Sequence, residues 1–339
     1  MKRRLQLAIV LCIVTAVAAT ASHLLVRYLS IRTGGVGYKL LSDAGGKPLA
    51  FAEGSSLMVD GLAWERISQE LGCGIENWFV AGSSPSEWER LQRRASDARL
   101  TFIAISAYDL NEYFLCDYRA DVVPLTQTVK DLWQSDAGWA FSKRILGQYP
   151  LRYLRVQFPT LGRSDGVMVG IREKLSSLLR PWIKIDPESG PAVGAGQNIT
   201  REEIRTERLT DWSQSRLLRR LTLMRSACQG KSAFDGPKKL ALLRMVAQAQ
   251  KQGRVVVIVL PVSPVYASEF LKPDENRELE ETLGEIERAN PKVAWVHLEQ
   301  LPALNSNDYF WDLVHMNSRG RQIATDAFLG QLRIRFSSK

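Results

Sequence analysis

Hydrophobic and polar positions divide the chain into three regimes. From Leu5 to Val26 run 22 residues without a Lys, Arg, Asp or Glu; as a helix rising about 1.5 Å per residue they span about 33 Å, enough to cross a bilayer. After Gly34, Gly35 and Gly37, short apolar, β-branched or aromatic runs recur at Pro48–Ala52, Trp78–Ala81, Leu100–Ile105, Arg254–Leu260 and Val293–His297. Helical periodicity separates them. One helix starts near Leu57 and takes in Trp64, Ile67 and Leu71 before Gly72 and Gly74 stop it; another takes in Trp88, Leu91 and Arg94. Alternating βα units predict an α/β fold, a three-layer sandwich with a mostly parallel five-stranded sheet covered on both faces.

The third regime, residues 131–240, breaks the alternation. It holds Pro150, Pro159, Pro181, Pro187 and Pro191, a loop-like Ser189–Gln197, and helical patterns at Val167–Leu179 and Arg201–Cys228. This stretch reads as a helical insertion in one domain or as a small subdomain.

Charge sharpens the picture. The chain has 339 residues and a net charge of +9, with 45% hydrophobic and 24% charged residues, a globular composition that excludes collagen-like, disordered and disulfide-framework classes. Length allows two domains, or one α/β domain enlarged by insertion. Residues 140–239 carry 19 basic against 9 acidic side chains, and residues 1–35 carry five basic ones and no acid. A basic insertion outside the membrane either meets lipid head groups or an anionic polymer, or is simply a solvated helical face.

Lys2, Arg3 and Arg4 before the apolar run hold residues 1–4 in the cytoplasm and send everything after Val26 across the membrane. Ala19-Thr20-Ala21 is also a possible cleavage site of a signal peptide, but the apolar run continues beyond it, which favours an uncleaved anchor over residues 5–26. Both readings export the body, residues 36–339, so nucleic acid is a poor partner.

The four cysteines form no C-x-x-C pair and the three histidines do not cluster, so neither a structural zinc site nor a cofactor is called for. Cys73 and Cys116 fall at opposite ends of a parallel sheet, which argues against a bridge between them; a Cys116–Cys228 bridge stays open.

Two short motifs carry chemistry. Asp312 lies three residues before His315 at a loop-to-helix junction, in Asp308-Tyr309-Phe310-Trp311-Asp312-Leu313-Val314-His315-Met316-Asn317. That spacing lets the carboxylate hold one imidazole nitrogen while the other faces a nucleophile, although a helix-capping Asp beside an incidental His has the same form. Gly54-Ser55-Ser56-Leu57, between the first strand and its helix, points a hydroxyl out of the strand end and sets backbone N–H groups at a helix start, where an oxyanion is held. A plain serine N-cap fits equally. Trp311, Tyr309 and Phe310 either stack on a sugar ring or pack the loop, and His297 reads as an edge histidine.

In chain order these pieces resemble the SGNH (GDSL) hydrolase superfamily. Gly54-Ser55-Ser56-Leu57 is similar to its GDSL block with Ser in place of Asp. Asn77-Trp78-Phe79-Val80-Ala81-Gly82 is similar to its N-x-G-x-x-G block with Phe79 at the first Gly, and Asp312-Leu313-Val314-His315 to its D-x-x-H block, with Gly320 following. The resemblance implies Ser56 as nucleophile, His315 as base, Asp312 as its partner, and backbone N–H groups of Ser56 and Gly82 as oxyanion donors. Ser106-Ala107-Tyr108-Asp109 departs from the family's G-x-N-D, with Tyr108 where the oxyanion Asn belongs. Either Asn111, two residues on, replaces that donor or the hole uses the backbone donors alone; Asp109 and Glu112 are expected to order the loop. Together with the anchor, the motifs also look like the branch that modifies surface polymers, the D-alanyl transfer and alginate O-acetylation proteins. That likeness implies a single-pass protein of the bacterial inner membrane with a periplasmic serine acyltransferase or esterase. Its partners would be an acylated envelope polysaccharide and a membrane acyl-donor protein. A catalytically inactive, membrane-anchored protein that binds or assembles such a polymer is the alternative.

Overall fold

The computed structural model describes residues 50–79, 81–91, 99–116, 119–135, 137–157 and 206–336. The expected anchor 5–26, the helix Val167–Leu179 and the loop Ser189–Gln197 lie outside them. Among the described residues no helix is long and apolar enough to cross a membrane. The chain divides into two compact units, one made of residues 38–146 and 199–339, the other of 1–37 and 147–198. Of the second unit, residues 147–157 are described, including a helix Gln148–Gln157 that exposes Leu151, Tyr153 and Leu154.

The first unit holds five strands, β1 Ala50–Gly54, β2 Ile75–Phe79, β3 Leu100–Ser106, β4 Arg254–Leu260 and β5 Ala294–His297. All neighbours are parallel, in the order β2-β1-β3-β4-β5, the flavodoxin-like doubly wound arrangement. Every residue of β1, and six consecutive residues in each of β3 and β4, are buried. Successive side chains point to opposite faces of a strand, so both faces of the sheet are covered. Val255, Val256, Val257, Ile258, Val259 and Leu260 show how: aliphatic residues, all but Leu260 β-branched, fill both sides of one central strand.

The helices that position the site are α1 Ser56–Gly61 and α2 Trp64–Leu71 after β1, α3 Pro85–Leu91 after β2, and α4 Ala107–Leu110 after β3. Later come α5 Gln214–Cys228, α6 Pro237–Gln252 before β4, and the C-terminal α7 Ser318–Phe336. The single helix expected from Leu57 to Leu71 is two. Trp64 Nε1 donates to the Met58 carbonyl at 3.0 Å and Ala63 N–H donates to Thr325 Oγ1 at 2.9 Å, so partners outside the helical ladder take over at the break. Of the helix expected over Arg201–Cys228, residues 201–205 lie outside the described residues, and from Thr206 onward it begins only at Gln214. Ser213 caps it by accepting from Arg216 N–H, and Leu209 N–H instead donates to the Phe310 carbonyl at 2.7 Å, tying this segment to the loop that carries His315. The expected insertion boundary at residue 240 falls inside α6, which belongs to the sheet's own βα alternation. Cys73, Cys116 and Cys228 are free thiols, so no Cys116–Cys228 bridge forms.

Candidate active site

At the C-terminal ends of β1, β2 and β3 three loops converge, the edge where doubly wound sheets bind ligands. The first is the turn from β1 into α1. Gly54 stands there because a Cβ would lie 2.8 Å from the Ala104 carbonyl oxygen and 2.9 Å from Met58 Cβ. Ser55 is buried and caps α1, its Oγ accepting from Leu57 N–H at 3.1 Å. Ser56, the first residue of α1, is partly exposed between buried neighbours. The three residues thus have separate physical duties: a close backbone approach, a helix cap and a hydroxyl presented outward.

Ser56 Oγ lies 2.9 Å from His315 Nε2. His315 Nδ1 in turn lies 2.9 Å from Asp312 Oδ2 and 3.0 Å from Asp312 Oδ1. Asp312 Oδ1 also accepts from the backbone N–H groups of Val314 at 2.8 Å and His315 at 2.7 Å, which locks the carboxylate under the ring. The loop around them is closed by Trp311 N–H donating to the His315 carbonyl and by Asn317, whose Nδ2 donates to the Asp308 carbonyl at 2.7 Å. Asn317 also caps α7, accepting from Gly320 N–H at 3.0 Å.

Electrostatics agrees with this geometry. Burial alone would push the Asp312 carboxyl up, but the charge and ring N–H of His315, with the two backbone donors, hold it below the usual carboxylate range. Burial alone would push His315 down; the Asp312 charge and hydrogen bond, helped by Asp60, more than offset it and leave the imidazole more basic than usual, with Arg220 opposing. A base strengthened by a buried carboxylate and in contact with a serine hydroxyl has the parts needed for nucleophilic attack on an acyl carbon.

Gly82, after β2, has a left-handed φ of 68° and lines a cavity of about 270 Å³ with Ser83, Ser84, Tyr108, Asp109 and Lys238 among others. Asn111 is placed elsewhere. It is fully buried, its Nδ2 donates to Ser232 Oγ at 2.9 Å and its Oδ1 accepts from Tyr113 N–H at 3.1 Å. Its carboxamide is therefore committed to the loop. Asp109 closes a capping box with Ser106, its Oδ2 accepting from Ser106 N–H at 3.0 Å and from Ser106 Oγ at 2.9 Å. Burial nevertheless raises its carboxyl to about 6, against the lowering effect of those bonds and of Lys238. Glu112 accepts from Lys238 N–H at 2.6 Å, while the Lys238 ammonium donates to the carbonyls of Asn111 at 2.6 Å and Phe114 at 2.9 Å. Both acids order the loop.

Trp311 stacks on the His315 ring, centroids 5.0 Å apart and planes 20° from parallel, whereas Phe310 is core. His297 is an edge histidine bonded to Glu299 at 2.7 Å. One residue escaped sequence reasoning: Arg220 of α5, whose guanidinium comes 3.8 Å from Asp312 Oδ2 and is half-exposed at the mouth of the site. Its only sequence signal is the Arg216, Arg219, Arg220 stripe within the basic stretch. Among the described residues no group of acidic, Cys and His side chains could hold a metal ion. No protein-family model matches this chain, and neither does any curated protein.

Proposed function

We propose that this protein is an exported serine acyltransferase or esterase of SGNH type, acting on O-acyl groups of a cell-envelope or extracellular polysaccharide through an acyl-Ser56 intermediate. The observation that carries the reading is the continuous hydrogen-bonded relay from Ser56 Oγ through His315 to Asp312. His315 Nε2 takes the Ser56 proton as Oγ bonds to the acyl carbon and the carbonyl π pair moves onto oxygen. Backbone N–H groups of Ser56 and Gly82 receive that oxyanion. On collapse the bond to the leaving alkoxide breaks and His315 returns the proton to it. Water or a sugar hydroxyl then attacks the acyl-serine by the same steps in reverse. Attack by water makes the protein an esterase and attack by sugar a transferase; the apolar run 5–26 and the basic helix α5 beside the site favour the transferase and a location on the outer side of the bacterial inner membrane.

The test is mass spectrometry of the full chain after a serine-reactive fluorophosphonate, beside Ser56→Ala and His315→Ala. A stoichiometric adduct on Ser56 that both variants lose supports the reading. Acyl-donor assays with and without a polysaccharide acceptor then separate transfer from hydrolysis. A folded protein that gives no adduct overturns the reading in favour of a non-catalytic polymer-binding protein.

A further inference from the structure

The described geometry leaves the proposed oxyanion site with two backbone donors and no carboxamide, since Asn111 is committed to Ser232. What stands at the end of β3 is Tyr108, and four observations fix it there. The Ser106–Asp109 capping box brackets it and fixes its backbone where β3 passes into α4. Its ring is clamped by Phe114, centroids 4.6 Å apart, and edge-on by Tyr266 at 6.2 Å. It lines the same cavity as Gly82. Among the described residues its hydroxyl has no hydrogen-bond partner, although a phenol held in a packed wall normally finds one.

A half-buried donor without a partner, on a rigid ring, in a cavity shared with a backbone donor, is suited to a charge that exists only during reaction. Preorganised donors of this kind cost no rearrangement at the moment of attack. Burial first and the Asp109 charge second, with Asp312 and Cys116 adding less, push the phenol up to about 12 against an opposing pull from Arg220, so it keeps its proton, as a donor must, across the working range.

We propose that the Tyr108 hydroxyl is the third oxyanion donor, replacing by an O–H group the carboxamide that the sequence lacks at this position. The inference rests on the acyl-serine reading above. It makes Tyr108 a catalytic residue that touches the developing oxyanion and, in the acyl-enzyme, polarises the ester carbonyl. No atom of Tyr108 is transferred; its O–H bond stays intact while the oxyanion forms and collapses.

The experiment follows acylation of the full chain in detergent by p-nitrophenyl acetate, read as the p-nitrophenolate burst and as acetyl on Ser56 by mass spectrometry. It compares wild type, Ser56→Ala and Tyr108→Phe. The expected result is a burst in wild type, none in Ser56→Ala, and acylation slowed about 10²–10³-fold in Tyr108→Phe. Since slower acylation also follows from a disturbed fold, the carbonyl stretch of ¹³C-acetyl-Ser56 is the second readout. It shifts to higher frequency in Tyr108→Phe and to lower frequency when position 108 carries a fluorotyrosine, whose shape is nearly that of tyrosine and whose O–H is a stronger donor. A wild type that acetylates Ser56 with the same rate and carbonyl band in all Tyr108 forms overturns this inference and leaves the acyl-serine reading standing. A wild type that never acetylates Ser56 overturns both.

Discussion

Glu53 precedes the serine turn by one residue and sits in the middle of the sheet, opposite Trp78 on β2 and Ile103 on β3. It is 5% exposed, and burial raises its carboxyl from an ordinary 4.5 to about 8. At neutral pH the folded protein therefore holds a proton that the unfolded chain releases. Each rise of one pH unit between those two values favours the unfolded chain by about 1.4 kcal/mol. At pH 7 the accumulated cost is about 3 kcal/mol, a large share of an ordinary domain's stability. Replacing Glu53 by Gln keeps the shape, removes the ionisation and so removes the cost. The assay is denaturant unfolding of both proteins in mild detergent, followed by tryptophan fluorescence from pH 5.5 to 7.5. Other titrating groups, Asp109 and His315 among them, are common to both proteins and cancel in the difference. The stability gap between Glu53→Gln and wild type should widen with pH by about 2–3 kcal/mol across that window. Two stability curves that stay parallel would refute the burial argument for Glu53.

Two further predictions concern the relay and its turn. Because His315 acts as base only when neutral and its folded pKa lies above 6.5, acylation should fall as pH drops through that raised value. Asp312→Asn should move the midpoint down and slow acylation about 10⁴-fold at neutral pH. Arg220→Gln should move the midpoint up, since the Arg220 charge opposes the proton on His315; a pH–rate profile that is the same in all three proteins contradicts the electrostatic account. Gly54→Ala should cost about 1–3 kcal/mol and displace Ser56, because the new methyl meets a carbonyl oxygen at 2.8 Å. Gly138→Ala, with nothing within 4 Å of its Cβ position, should leave unfolding midpoints unchanged, and equal effects at the two glycines would count against the close-approach argument.

How much of this was legible in the sequence depends on the range over which each feature is decided. Strands β3 and β4 were read to within a residue because a parallel sheet buried on both faces needs a near-continuous apolar run, a purely local signal. The break between α1 and α2 was not, since it is made by Thr325, over 260 positions away in the chain. Gly54, Ser55 and Ser56 stood out because each duty of the turn selects its own residue type. Asn111 was weighed as a donor on nearness in sequence alone, and its actual partner, Ser232, comes from a distant loop. Charge misleads in the same way. Glu87 and Arg119, 0% and 1% exposed at the side chain, form an ion pair at 3.2 Å beneath Ser84, and Lys238 is buried against two carbonyls; a hydropathy pattern assigns all three to the surface. Buried charges persist where they are paired or hydrogen-bonded, and the Glu87–Arg119 pair joins the loop after β2 to the chain after β3. Residues that no periodicity reveals therefore help to place the loops that carry Gly82 and Tyr108, and the proposed acyl-transfer chemistry would depend on them as well as on the three side chains its motifs display.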